Sequence, residues 1–554
     1  MINLIFESIF FLLASLTIIL SVAGYGNFLV YKYNNNFFEK IFLGIIIITF
    51  LVTLIHFFFK ISFYIAIGLL FIGLILFLIN HKSSLTKLYK SNLLYLIIFL
   101  ILLPIYISQK YHEDFGFYHL PYVISMIEEK IIFGLANSNS AYVHNSIWLN
   151  TVSLFSLPKN NFNFLTLPSY LIYNLFIIFS LKNILKLNNQ KISNYFLIIC
   201  VFYLLLKFTR ISEYGNDLPA IIFSFLSIFY FLRYSETKKN HNKFFYFFCC
   251  FSFAIFSILI KFSGIPIFLL PIYLYLKNFN FLKKEIFKLN YFFLYLLALI
   301  FFIQQFIYTG CFIFPSTISC LDVSWFNNGF IDVKRSLELV NKSYSIARNI
   351  FSPQEYLNNF TWFPYWLSRN YTEILEHIIT MLLPVIIMFL LSKKPKKNKK
   401  IDIIFFDKYI FVIFILLGFT FWLTFSPVYR FGVIYFISLI FFVTYFFYKT
   451  RIISKKLFIY LFLLALFFNL SKNIIRISNE ESIFLGIKKI DNIFFEHTIS
   501  KNDYILVLGP DSKKNTKNGY QGILCWDISF LCSYSEIKVR KINNYLFLKK
   551  IKHN

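Results

Sequence analysis

Apolar runs about the length of a bilayer crossing repeat from the first residues of the chain to about residue 470. A helix needs roughly 20 apolar residues to cross the hydrocarbon core. Such runs lie near 2–22, 41–59, 62–80, 93–109, 163–181, 195–208, 217–234, 244–260, 264–276, 291–309, 377–392, 409–425, 431–448 and 457–472. A water-soluble fold has no interior that could bury so many of them. Charged residues make up 14% of the chain, against about 25% in soluble domains. The sequence therefore predicts an all-α polytopic membrane protein of about fourteen transmembrane helices. The run at 264–276 is short, and a tilted or re-entrant segment is the alternative there.

The formal net charge of +28 invites a nucleic-acid reading, but the distribution of the charge argues against one. Basic residues gather between apolar runs: Lys82, Lys87 and Lys90; Lys182, Lys186 and Lys191; Arg233, Lys238, Lys239 and Lys243; Lys277, Lys283, Lys284 and Lys288; Lys393 to Lys400; Lys449, Arg451, Lys455 and Lys456. They fall at every second connection, which is the pattern of cytoplasmic loops, and they suit an anionic lipid surface. Nucleic acid is not an expected partner. Placing these loops inside puts the connections 110–162, 209–216, 261–263, 310–376 and 426–430 outside, together with the tail from about 473. Residues 1–472 then form a transmembrane domain with outer loops 110–162 and 310–376, and 473–554 a small extracytoplasmic lobe. The first span resembles an uncleaved signal anchor. The inner loops carry no Gly-rich phosphate loop and no metal-ligand spacing, which disfavours ATP-driven or nucleotide-sugar chemistry on the cytoplasmic face.

Chemistry in contact with water is therefore expected on the outer face. The first outer loop opens Lys110-Tyr-His-Glu-Asp-Phe-Gly-Phe-Tyr-His-Leu-Pro121. It sets Glu113 and Asp114 at the edge of the hydrocarbon, where a carboxylate is costly unless paired or used. Loop solvation and helix capping are the plainer reading. Leu120, Ile124, Ile127 and Ile131 then recur at helical spacing, which predicts a helix lying in the membrane interface. The next outer connection brings Glu213 and Asp217 to the mouth of a helix, where Asp217 before Leu-Pro219 also reads as a cap. Lys261, between two spans, suits either snorkelling to headgroups or a lipid phosphate. Arg430, in Ser426-Pro-Val-Tyr-Arg430, is an unusual outer cation whose guanidinium matches a phosphate.

The string Glu113-Asp114-x-x-x-Tyr118-His119-x-Pro121 after an early span resembles the first outer loop of GT-C superfamily glycosyltransferases, as do a second outer acid and a late Pro-x-x-Arg turn. The resemblance implies a GT-C-like fold in a bacterial cytoplasmic (inner) membrane. It also implies an inverting transfer from a polyprenyl-phosphate sugar to a cell-envelope glycan, lipid or protein acceptor. Asp114 would be the catalytic base and Glu113 its neighbour or alternate, with Tyr118, His119, Asp217, Lys261 and Arg430 contacting substrate. No cofactor is required, although a divalent metal between Asp114 and Asp217 stays open. Gly134-Leu-Ala-Asn137, Asn145-Ser146-x-Trp148, Tyr308-Thr-Gly310-Cys311-x-x-x-Pro315 and Cys525-Trp526-Asp527…Cys532 resemble an uncharacterised bacterial membrane-protein family grouped with those enzymes. In place of the Leu-His-x-Arg-like segment expected after Asn137, this chain has Ser138-Asn-Ser-Ala141. The rival readings are a lipid-linked glycan polymerase or ligase and a non-enzymatic lipid or glycan transporter.

Four of the seven cysteines fall on the outer side, in two close pairs: Cys311 with Cys320, and Cys525 with Cys532. An oxidising compartment favours disulfides there. Zinc is the alternative, but the spacing matches no common site. Trp325, Trp362 and Trp366 in the second loop suit interfacial anchoring or stacking on a sugar. In the tail, Tyr504 to Gly509 and Glu536 to Arg540 read as strands and 482–497 as a helix, so the lobe is expected to be α/β.

Overall fold

The computed structural model describes residues 2–30, 37–80, 93–103, 114–155, 162–186, 191–207, 215–314, 316–392, 407–448, 453–479, 495–500, 503–508, 525, 532–533 and 537–551. Among these residues, nine helices are long and apolar enough to cross a membrane: Ile9–Leu29, Phe37–His56, Phe164–Leu185, Asp217–Glu236, Asn240–Ile260, Leu289–Thr309, Trp362–Leu391, Lys408–Phe425 and Lys455–Ile475. The chain is a multi-pass helical membrane protein. An unbroken helix satisfies its own backbone donors and acceptors, which lipid cannot do.

Four shorter apolar helices, Phe63–Ile79, Ile192–Leu206, Phe262–Lys277 and Tyr429–Tyr445, coincide with four more of the expected spans. The short run at 264–276 begins as a 3₁₀ turn, Phe262–Phe268, with Pro266 inside it, and becomes α-helical only at Leu269. At 93–109 the structure describes an α-helix over Leu93–Ile101, and most of the remainder lies outside the described residues.

Burial separates the centre of the bundle from its rim. The Phe164–Leu185 and Asp217–Glu236 helices are 100% and 94% buried over their most apolar windows, against 22% and 28% for Trp362–Leu391 and Lys408–Phe425. The outer pair therefore turns bare apolar surface to lipid. Near the N-terminus, a Cβ on Gly44 would sit 1.9 Å from the Val22 carbonyl oxygen. Small residues let the two backbones touch there, as in other membrane helix pairs.

Segments expected outside meet at one end of the bundle. Tyr122, Asn150, Gln304 and Tyr308 form a buried network: Tyr122 donates to Asn150 Oδ1 (2.8 Å), and Asn150 to Gln304 Oε1 (2.9 Å) and Thr53 Oγ1 (3.0 Å). Asn145 joins it through Gln304 (3.2 Å). Asn137 donates to the carbonyls of Trp325 (2.9 Å) and Leu548 (3.0 Å), tying both outer loops to the tail. The segments expected inside meet at the other end, where Arg233 donates to Asn183 and Asn194.

Three expectations need correction. The helix after Asp114 ends at Glu128. Ile131 leaves it and donates its backbone N–H to the His56 carbonyl (3.0 Å), so the helical spacing of Leu120, Ile124 and Ile127 does not carry through to Ile131. The helix expected at 377–392 starts at Trp362, because Trp362, Trp366 and the residues between prolong it out of the apolar run. Of the helix expected at 482–497, residues 495–497 belong to a strand and the others lie outside the described residues. The described tail is an antiparallel sheet of β1 (Phe495–Ser500), β2 (Asp503–Leu508), β3 (Ile537–Ile542) and β4 (Tyr545–Lys550), in that order. Thr498 and Ile499 are β-branched and suit the strand. Asn543 and Asn544, both at positive φ, make the tight turn between β3 and β4. Phe133 pairs with β4, donating to Leu546 O (2.9 Å) and accepting from Leu548 N–H (2.8 Å).

Candidate active site

Asp114 begins the helix that runs to Glu128. Residues Phe115–His119 form a π turn, and Leu120 donates its N–H to the Phe115 carbonyl. Pro121 lacks the N–H that would bond back to Phe117, and its ring crowds the preceding turn. The helix widens ahead of it, a distortion common at functional sites. Glu113 and Glu213 lie outside the described residues. Tyr118 and His119 pack ring against ring, 4.2 Å between centroids, with His119 buried. A Cβ on Gly215 would come within 3.4 Å of His119 Cε1, so the strand of chain leading to Asp217 lies against this helix.

Asp217 does not cap its helix. Asn216 occupies the cap position and makes no side-chain cap bond, while Asp217 sits in the first turn. Its carboxylate is paired with Lys261 and lies 3.5 Å from Arg430 Nε. Lys261 follows the last turn of Asn240–Ile260 with extended backbone. It does not snorkel outward: its ammonium turns in on Asp217 and lies 3.5 Å above the Phe431 ring.

Arg430 stands on a turn held from three sides. Trp366 Nε1 donates to the Pro427 carbonyl (2.7 Å), Trp422 Nε1 to the Val428 carbonyl (2.7 Å), and Asn341 Nδ2 to Ser426 Oγ (2.9 Å). Gly432 allows the close approach of Trp422, since a Cβ there would lie 2.8 Å from the indole. The guanidinium reaches between the two acids, 3.9 Å from Asp114 and 3.5 Å from Asp217.

Asp114, Asp217, Lys261 and Arg430 thus form a neutral quartet drawn from four separate parts of the chain. Its side chains are 22–39% exposed. Burial lowers the Lys261 pKa from its ordinary 10.5; Asp217 opposes that shift, and the Arg430 charge adds to it. Among the described residues no group of three or more His, Cys, Asp or Glu could hold a metal. Arg430 lies between Asp114 and Asp217. Two carboxylates spanning a guanidinium can release it to an incoming phosphate, and either oxygen pair can then take a proton.

Sequence reasoning missed what holds Arg430 in place. Asn341, Trp366 and Trp422 offered no motif, although two of them are the tryptophans common at membrane interfaces. Cys311 is bonded to Cys320 and Cys525 to Cys532. The first bond closes the start of the second outer loop; the second pair lies in the tail.

The family model of a domain of unknown function (DUF8201) matches residues 8–437, a range that includes all four members of the quartet. No curated protein and no solved structure matches the chain.

Proposed function

We propose a function on the premise that the chain belongs to the DUF8201 family, whose function is unknown: it is a membrane glycosyltransferase of GT-C type. It moves a sugar from a polyprenyl-phosphate donor to a cell-envelope glycan, lipid or protein acceptor on the outer face of a bacterial cytoplasmic membrane. The four shorter apolar helices and the one beginning at Leu93 serve as crossings, which makes fourteen. The observation that carries this reading is Arg430 held between Asp114 and Asp217 with Lys261 beside it, at the bundle end where both outer loops and the tail meet.

The donor enters sideways, with its lipid between helices and its phosphate facing Arg430 and Lys261. Drawing Arg430 toward the phosphate weakens its hold on Asp114 and restores the basicity of that carboxylate. The acceptor hydroxyl gives its proton to Asp114, and its oxygen bonds to the anomeric carbon. The bond from that carbon to the phosphate oxygen breaks, and its electron pair leaves on polyprenyl phosphate. Arg430 and Lys261 meet the negative charge that develops there. In-line attack inverts the anomeric centre, through an oxocarbenium-like state as in other glycosyl chemistry. Asp217 acts as a positioning residue, because it faces both cations.

Membranes containing the protein, incubated with radiolabelled polyprenyl-phosphate sugar, test the reading. Label should leave the lipid fraction with the wild type and stay there with Asp114→Asn at equal protein level. Label that crosses the bilayer while still on its lipid would indicate a transporter instead.

A further inference from the structure

A cavity adjoins the Arg430 turn. Lys342, Leu357, Asn359, Phe360, Trp362 and Thr424 line it, and its volume is about 330 Å³, a size within the usual range for small-molecule pockets. Lys342 is only 5% exposed, and lysine is seldom buried without a partner. Glu338, one turn earlier, holds its ammonium at 2.5 Å, and the Trp362 ring lies 4.8 Å away. An ammonium has three donors, and Glu338 uses one of them. Asn359 adds an amide to the wall. The Thr424 hydroxyl donates to its own helix (2.8 Å to the Thr420 carbonyl), which leaves its oxygen able to accept.

The backbone around this cavity is unusual. Five described non-glycine residues have positive φ. Two form the β3–β4 turn, and the other three are Ser343 (62°), next to Lys342, and the cavity residues Asn359 (51°) and Phe360 (58°). Left-handed backbone is an outlier for a bulky residue such as Phe360. Strain of this kind gathers at ligand clamps. Phe360 is nevertheless 58% exposed, so packing of its ring does not account for it.

The position of the cavity selects its occupant. Trp362 begins one lipid-facing helix and Thr424 lies near the end of another, and Leu367, Leu375, Leu417 and Phe425 stand exposed on the two. The mouth therefore opens where lipid meets water, with apolar helix surface beneath it. We propose that this cavity seats the phosphate-bearing headgroup of an outer-leaflet lipid, with Lys342 as its counter-charge and the acyl chains along the two helices. Asn341, the residue before Lys342, bonds to Ser426, so a lipid held here also braces the Arg430 turn. The site is separate from the quartet and does not depend on the glycosyl-transfer reading.

Native mass spectrometry of the full chain in neutral detergent, titrated with 1-palmitoyl-2-oleoyl-phosphatidylglycerol, tests the proposal. The wild type should retain this lipid about tenfold better than the matching diacylglycerol, a comparison that needs no variant. Lys342→Gln should remove most of that preference and Lys342→Arg should keep it. Asn359→Gly, which preserves the left-handed backbone and deletes the amide, should weaken binding several-fold. Arg430→Gln should leave binding intact. Equal retention of diacylglycerol, unchanged binding in both Lys342→Gln and Asn359→Gly, or loss of binding in Arg430→Gln would each overturn the proposal. Displacement of the lipid by inorganic phosphate at equal concentration would also overturn it, since a soluble anion would then be the better occupant.

Discussion

One helix, Asp217–Glu236, carries a charged cluster at each end, and the two clusters are built differently. At its last turn Arg233 donates to Asn183 Oδ1 (3.1 Å) and Asn194 Oδ1 (2.9 Å) and stands 3.7 Å from Glu236. Glu236 accepts from the Ser193 backbone N–H (2.8 Å) and hydroxyl (2.7 Å). These two side chains are 12% and 10% exposed. At its first turn, Asp217 belongs to the quartet, where Arg430 is 39% exposed and its distances to the acids exceed an ordinary hydrogen bond. The first cluster is a closed joint between loops. The second sets a more exposed cation between two acids, where a phosphate could compete for it. Charge at the end of a membrane helix is therefore not enough to mark a site; exposure, and the amide, hydroxyl and backbone partners that close the Arg233 cluster, distinguish the two.

The sharpest test of that distinction pairs one acid from each cluster. Asp114→Asn should lower donor turnover by about 10³-fold or more, as removal of a positioned general base does, while the protein remains inserted at normal level. Glu236→Gln should leave turnover per folded molecule unchanged. If the two substitutions had the same effect on turnover, the quartet would have no special chemistry.

Arg233→Ala tests the opposite end. Removing a buried cation from satisfied partners leaves two amide oxygens without their donor and Glu236 without its counter-charge, and should cost about 3 kcal/mol. The expected outcome is a lower midpoint of thermal inactivation in detergent, with the surviving fraction as active as the wild type. A lower turnover with no change in that midpoint would contradict the structural role. Arg430→Lys should do the reverse. A lysine keeps the charge but loses the planar fork that spans two carboxylates, so kcat/KM for the donor should fall about 10²-fold with little change in thermal midpoint.

The comparison also explains what could be read from sequence. Asp114, Asp217, Lys261 and Arg430 were legible because each stands at the edge of an apolar run, and the alternation of basic loops assigns all four edges to one face. Their partners were not. Whether Asp217 would cap its helix or pair with Lys261 depends on the rotation of two helices about their axes, which hydropathy does not encode. Sequence places Arg233 and Arg430 on opposite faces but does not say how each is held; Asn183 and Asn194 on neighbouring segments are what close the Arg233 cluster. The docking of β4 on Phe133 was equally hidden, since Asn137 and Leu548 are 411 residues apart. The extension of the last long outer-loop helix back to Trp362 escaped because tryptophans and tyrosines at an interface carry no strong periodic signal.

Lys261 offers the finest discrimination, because it alone in the quartet both carries positive charge and can lose it in an accessible pH range. Burial holds its pKa below 10.5, and the pull of Asp217 only partly offsets this. Its ammonium is therefore lost as pH rises, earlier than for a solvent-exposed lysine. A neutral amine cannot meet the charge developing on the leaving phosphate, so kcat/KM for the donor should have an alkaline limb below 10.5. Lys261→Arg keeps its charge throughout this range. That variant should be a few-fold slower at neutral pH, because the larger guanidinium must crowd into the space of an ammonium beside Asp217 and Arg430, yet its alkaline limb should move upward. Lys207, which pairs with the exposed Glu376 on a different helix, supplies the control: Lys207→Arg should leave the limb where it was. A limb that stayed in place in Lys261→Arg would assign the titration to another group and leave Arg430 alone to hold the phosphate.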